Sequence, residues 1–179
     1  MLWRLTLEAL AQVHRVSPRS HLLPLLQCLL LLVPVGGLVA WRLAGSRAAA
    51  ALGGLAGSAL AVALTLTLFR GGFGHESLGR LRSCAVTDPV LLSGDGLGNL
   101  ALFAPVAFLA VLAVGRPGRV VLGIAAVSVA VEALQAIEWV GVCDTSDALL
   151  NTTGALLAAL VAAAMRAAVP GSFACRRSS

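Results

Sequence analysis

The sequence predicts an all-α, polytopic membrane bundle of about five transmembrane helices. Two observations carry that prediction. Of 179 residues, 59% are hydrophobic and only 12% charged, and mean hydropathy is +0.94; a soluble domain of this length carries roughly twice that share of charge. The charges also stand between long apolar blocks, each long enough to cross a bilayer at 1.5 Å of rise per residue.

The blocks follow in order. Arg19 and Arg42 bracket the first, Ser20 to Trp41, which contains Pro24 and Pro34; a membrane helix tolerates both, with a kink. Arg47 and Arg70 bracket the second, Ala48 to Phe69, where Gly53 and Gly57 form a small-xxx-small pattern that permits close helix contact, within the chain or in a homodimer. The third runs from Leu97 to Gly115, with Pro105 expected to kink it. The fourth starts after Arg119, extends to Val140 and contains Glu132, Gln135 and Glu138. The fifth spans Asp147 to Ala168. The segmentation is therefore an N-terminal arm at 1–20, two spans over 21–69, an extended loop with three spans over 70–168, and a disordered tail at 169–179. In the arm, Trp3, Leu7 and Leu10 have helical spacing and suggest an interfacial helix. No persuasive small-residue cleavage site follows the first block, which argues against a signal peptide.

All 13 basic residues are arginine, and the net charge is +5. Nucleic acid is not the expected partner, because the arginines occur singly or in pairs with no basic face and no aromatic interleaving. They read as orientation signals. Arg42 and Arg47, Arg116 and Arg119, and Arg166, Arg176 and Arg177 share one side if there are five spans, and that side is expected to be cytoplasmic. The N-terminus would then be outside, despite Arg4, Arg15 and Arg19. That topology puts Cys84 and Cys143 on the oxidising side, where a bridge between them is expected; two unrelated thiols are the alternative. Cys28 falls in the first span and Cys175 in the tail. No metal or cofactor is expected, since there is no CxxC and His14, His21 and His75 lack ligand spacing to the cysteines.

Polar groups inside the spans are the candidate site, because a carboxyl group at membrane depth is costly without a partner or a wet cavity. Glu132, Gln135 and Ser128 share one helix face. Asp147, Asn151 and Gly154 stack on the next helix, and Asn99 with Asp95 does the same at the start of the third span. The Cys143–Asp144 loop sits above them. A shared outward-facing polar pocket formed by Asn99, Glu132, Gln135, Asp144, Asp147 and Asn151 satisfies all three stripes. The plainer reading makes Asp147 an N-cap or first-turn residue and the asparagines interhelical hydrogen-bonders.

Three blocks in order resemble the VanZ-like family: Asn99 to Pro105, Glu132-Ala-Leu-Gln135, and Cys143-Asp-Thr-Ser-Asp147 through Asn151-Thr-Thr-Gly154. The resemblance covers roughly residues 80–165, and the cysteine pattern is similar to the family's actinobacterial branch. Two departures are visible. Val140-Gly141-Val142 stands where the family commonly carries an Arg, and Pro105-Val106-Ala107 replaces a Pro-x-Gly. The resemblance implies a multi-pass protein of the bacterial cell membrane, in a family named for a teicoplanin-resistance member and without an agreed biochemical activity.

Two functional classes follow. The first is a non-enzymatic binding or accessory protein of the cell envelope, whose partners are membrane lipids and a lipid headgroup, glycopeptide or cell-wall lipid precursor. The second is an intramembrane hydrolase or transferase, with Glu132 as general base and Asp144 or Asp147 as its acid partner. No Gly-x-Ser-x-Gly elbow is present to supply a nucleophile. A transporter is disfavoured by the lack of a recognisable inverted repeat.

Overall fold

A computed structural model of the chain describes residues 18–68, 84, 94–138 and 143–168. The expected interfacial helix at the N-terminus and the C-terminal tail lie outside these residues. Six helices are described: α1 Pro18–Ala44, α2 Arg47–Leu68, α3 Gly94–Leu102, α4 Ala104–Val114, α5 Pro117–Glu138 and α6 Thr145–Ala168. The short α3 and α4 together make one span, so five helical stretches are long and apolar enough to cross a membrane. The chain is a multi-pass helical membrane protein. Its outer faces carry Leu30, Leu31, Leu122, Leu156 and Leu160 exposed, which hydrocarbon solvates and water does not.

The first two helices form a hairpin closed by two residues. Gly45 adopts φ 70°, a left-handed conformation that glycine reaches without Cβ strain, and its N–H returns to the Trp41 carbonyl at 2.7 Å. Ser46 then caps α2, its Oγ accepting the Ala49 N–H at 3.1 Å. Along the hairpin the backbones touch. A Cβ on Gly36 or Gly53 would run into the other's carbonyl, and one on Gly57 would strike the Leu32 carbonyl. The Gly53/Gly57 pattern thus serves contact within the chain, with Gly36 as its counterpart.

The third span is broken at Phe103, two residues ahead of the kink expected at Pro105. Pro105 stands in the first turn of α4. Without an N–H it cannot bond the Ala101 carbonyl, and its ring crowds that carbonyl, so the preceding turn opens. Phe103 fills the break and is fully buried. Beyond it α4 is the central helix: Val106, Ala107 and Val111 pack with Ala155, Ala159 and Ala162 of α6, Ala63 of α2 and Ile124 of α5. Alanines at three- and four-residue spacing let α6 lie close against α4.

The remaining turns have local causes. Gly115, φ 66°, ends α4 with its N–H on the Val111 carbonyl. Pro117 then opens α5, in the first turn where its missing N–H costs nothing. The Arg166 guanidinium, near the end of α6, donates to the Leu112 carbonyl and so ties the ends of α4 and α6 together. These contacts sort the bundle into two ends. Arg42, Arg47, Arg116, Arg119 and Arg166 mark one, while Glu132, Asp144 and Asp147 lie at the other.

Candidate functional site: a polar cluster at one end of the bundle

The acidic end is assembled from α2, α3, α5, α6 and the residues just before α6. Asp144 immediately precedes α6 and acts as its N-cap: Oδ1 accepts the Ser146 N–H at 2.9 Å, and its carbonyl accepts the Asp147 N–H at 3.0 Å. The cap therefore belongs to Asp144 and not to Asp147. Asp147 is a first-turn residue instead, where a carboxyl group suits the positive end of the helix dipole.

Three pairs interlock the helices. Glu132 of α5, only 8% exposed, receives the main-chain N–H of Asp144 on Oε2 at 2.9 Å. Asn99 of α3 donates through Nδ2 to Asp147 Oδ1. Asn151 of α6 donates through Nδ2 to Ser128 Oγ of α5 at 3.0 Å, with both residues buried. Gly154, one turn after Asn151, lets the α6 backbone meet the Leu100 carbonyl of α3; a Cβ there would overlap that oxygen. Without this close approach, Asn99 would not reach Asp147. The spacing that put Asp147, Asn151 and Gly154 on one face is the spacing that docks α3.

Gln135 goes elsewhere. Its Nε2 donates to the main-chain carbonyl of Thr67 at the end of α2, at 3.3 Å. Of the six residues expected to share a pocket, the structure therefore links Glu132 with Asp144 and Asn99 with Asp147. Asn151 is bonded to Ser128, and Gln135 ties the α2 end to the cluster's flank. The side chains of Asp95 and Glu138, and the departure at Val140–Val142, lie outside the described residues. The departure at Val106-Ala107 lies inside the core, where both are buried.

A disulfide joins Cys84 to Cys143, with 4.7 Å between their Cα atoms. Cys143 is itself buried and directly precedes Asp144. The bridge thus anchors the strand of chain that presents the Asp144 N–H to Glu132. Constraining a loop this way stabilises mainly by limiting the unfolded ensemble.

Two acceptor atoms stand apart from these pairs. Asn151 Oδ1 and Gln135 Oε1 are buried with no hydrogen-bond partner among the described residues. A buried unsatisfied oxygen costs about 1–3 kcal/mol. Asn99, Asp144 and Asp147 are half-buried, and the two aspartates precede Asn151 towards the α6 N-terminus.

Fold and site together define a class: a five-span helical membrane protein whose last three spans share a polar cluster beside the disulfide-anchored start of α6. The sequence profile of the VanZ/LLP1 family matches residues 71–166, more than half of the chain and the whole of that cluster, so this protein belongs to the VanZ/LLP1 family. Neither comparison with curated proteins nor comparison with solved structures returns a match.

Proposed function

We propose that the polar cluster is a binding site for the polar head of an amphiphile in the cell envelope, and that the protein acts there without catalysis. The observation that carries this reading is the buried, unpartnered Asn151 Oδ1 behind Asp144, Asp147 and Asn99, with a second such acceptor, Gln135 Oε1, on the flank that meets α2. Acceptors in excess call for a ligand that donates. Hydroxyl- or ammonium-bearing heads do so, whether they belong to a membrane lipid, a cell-wall lipid precursor or a glycopeptide with a lipid tail. The apolar tail of such a ligand would lie in the bilayer beside the bundle, which keeps the molecule at the depth of the cluster.

The orientation proposed with this function puts the arginine end in the cytoplasm and the polar cluster outside, with the N-terminus outside and the C-terminus inside. Five arginines at one end and a disulfide at the other support it.

The test uses the full chain in detergent with teicoplanin and, separately, a glycolipid as probes. Binding of either probe should raise the midpoint of thermal unfolding in the wild type and not in Asn151→Leu. In a glycopeptide-susceptible host, wild type should lower teicoplanin susceptibility and Asn151→Leu should not. No midpoint shift with either probe, or an equal shift in Asn151→Leu, defeats the proposal.

A second reading, an intramembrane hydrolase or transferase, draws on the burial of Glu132 beside Asp144 and near Asp147. In that reading Glu132 takes the proton of an attacking water or hydroxyl. Lipid turnover that disappears in Glu132→Gln would favour it over simple binding.

A further inference from the structure

One cavity of the bundle lies away from the polar cluster. A cavity of about 400 Å³ lies between the α1–α2 hairpin and the α4–α5 pair at the opposite, arginine end. Its walls are aliphatic. Leu32, Val39 and Leu43 of α1 face Ala56 of α2 and Ala110 of α4, and Arg116 and Arg119 stand at its mouth. The hollow has a packing cause: glycine contacts hold α1 tightly to α2, while α1 meets α4 only lightly, across small alanine side chains. Between Leu22 and Ala44, only Ala40 of α1 is buried.

The depth of the groove is informative. From Leu32 to Leu43, α1 rises about 16 Å at 1.5 Å per residue. Half of a hydrocarbon core of about 30 Å is about 15 Å. The groove therefore extends through one leaflet and opens where headgroups lie. Both arginines at the mouth are exposed, and the described carboxyl groups, Glu132, Asp144 and Asp147, are at the far end of the bundle.

We infer that this groove seats one acyl chain of an anionic phospholipid, with Arg116 and Arg119 holding its phosphate. Basic residues at the mouth of a pocket between membrane helices suit an anionic headgroup, and guanidinium groups bond phosphate oxygens through paired N–H donors. A zwitterionic lipid fills the apolar groove equally well but gains less at its mouth, because its own ammonium opposes the arginines. The site is separate from the polar cluster and depends only on the chain spanning a bilayer. A bound lipid would also cover the open flank of α1 and complete the packing that the hairpin lacks.

The experiment uses the full chain in a mild detergent, incubated with an equimolar mixture of phosphatidylglycerol and phosphatidylcholine and weighed intact by native mass spectrometry. One phosphatidylglycerol should remain bound at collision energies that strip phosphatidylcholine. The double variant Arg116→Gln/Arg119→Gln should lower that retention about thirtyfold, while Arg47→Gln, at the same end but off the groove, leaves it unchanged. Ala110→Phe, which fills the groove from α4, should abolish the retained phosphatidylglycerol, and an unfolding midpoint equal to wild type would show that the bundle persists. Equal retention of the two lipids by wild type, or undiminished phosphatidylglycerol on the double arginine variant, overturns the proposal. So does a mass of two chains that Ala110→Phe reduces to one, which assigns the groove to a second copy.

Discussion

The two halves of this bundle are held together by different physics. The α1–α2 hairpin is joined by backbone contact: Gly36 against Gly53 and Gly57 against Leu32, with no polar side chain bridging the two helices among the described hydrogen bonds. The α3–α6 unit has an alanine-lined core and is also laced by Glu132–Asp144, Asn99–Asp147, Asn151–Ser128 and a disulfide. In a membrane, close packing alone suffices to associate helices, and the hairpin demonstrates that arrangement. The extra polar groups in the second unit are thus more than association requires. They coincide with the stretch that matches the family, which is where a function shared across the family is to be sought.

Substitutions can break either half selectively. The largest effect is expected from Gly53→Leu, which drives a branched side chain into the Gly36 carbonyl and must push α1 away. Overpacking costs about 1–3 kcal/mol in tolerant cores, and a backbone wall leaves less room to yield. The hairpin should open, seen as increased labelling of Cys28, while the Cys84–Cys143 bridge still forms. Loss of the bridge in the same variant would mean that the halves do not fold separately.

The next effect falls on the other half. Cys84→Ser with Cys143→Ser should cost about 2–4 kcal/mol, measured as a lower unfolding midpoint, with Cys28 labelling unchanged. Glu132→Ala should follow at about 1–3 kcal/mol, because the half-buried Asp144 N–H loses its acceptor. Glu132→Gln, which keeps an oxygen there, should recover most of that loss. The smallest effect is expected from Asn151→Ala and Ser128→Ala in a double-mutant cycle, with a coupling of about 0.6 kcal/mol, typical of interhelical hydrogen bonds in a bilayer. A coupling several times larger would mean that this pair does more than join helices.

Much of this was legible in residue order, and the reasons for what was not are physical. The spans announce themselves because each needs some twenty apolar residues and the arginines mark their limits. Asn99, Glu132, Asp147 and Asn151 were visible because polar groups at membrane depth are rare. Their pairing was less so, since spacing shows which face a residue occupies and not which helix that face meets. Gln135 shares the face of Glu132 and yet turns to Thr67, whose contribution is a main-chain carbonyl that no residue type signals. Asp144 was read for its carboxyl group, yet its N–H is what meets Glu132. The break at Phe103 was displaced from Pro105 because proline disrupts the turn before it. The groove at the arginine end left no mark at all. Its walls are ordinary Leu, Val and Ala, and only the assembled helices make it a cavity.

The account turns on the polar cluster facing the outside of the cell beneath its disulfide. The direct test is labelling of intact cells with a membrane-impermeant maleimide, before and after an impermeant reductant, in a Cys28→Ser background. The account predicts labelling of Cys84 and Cys143 only after reduction, with Cys175 protected throughout. Labelling of Cys175 in intact cells, with Cys84 and Cys143 protected under both conditions, would invert the bundle and contradict an external site.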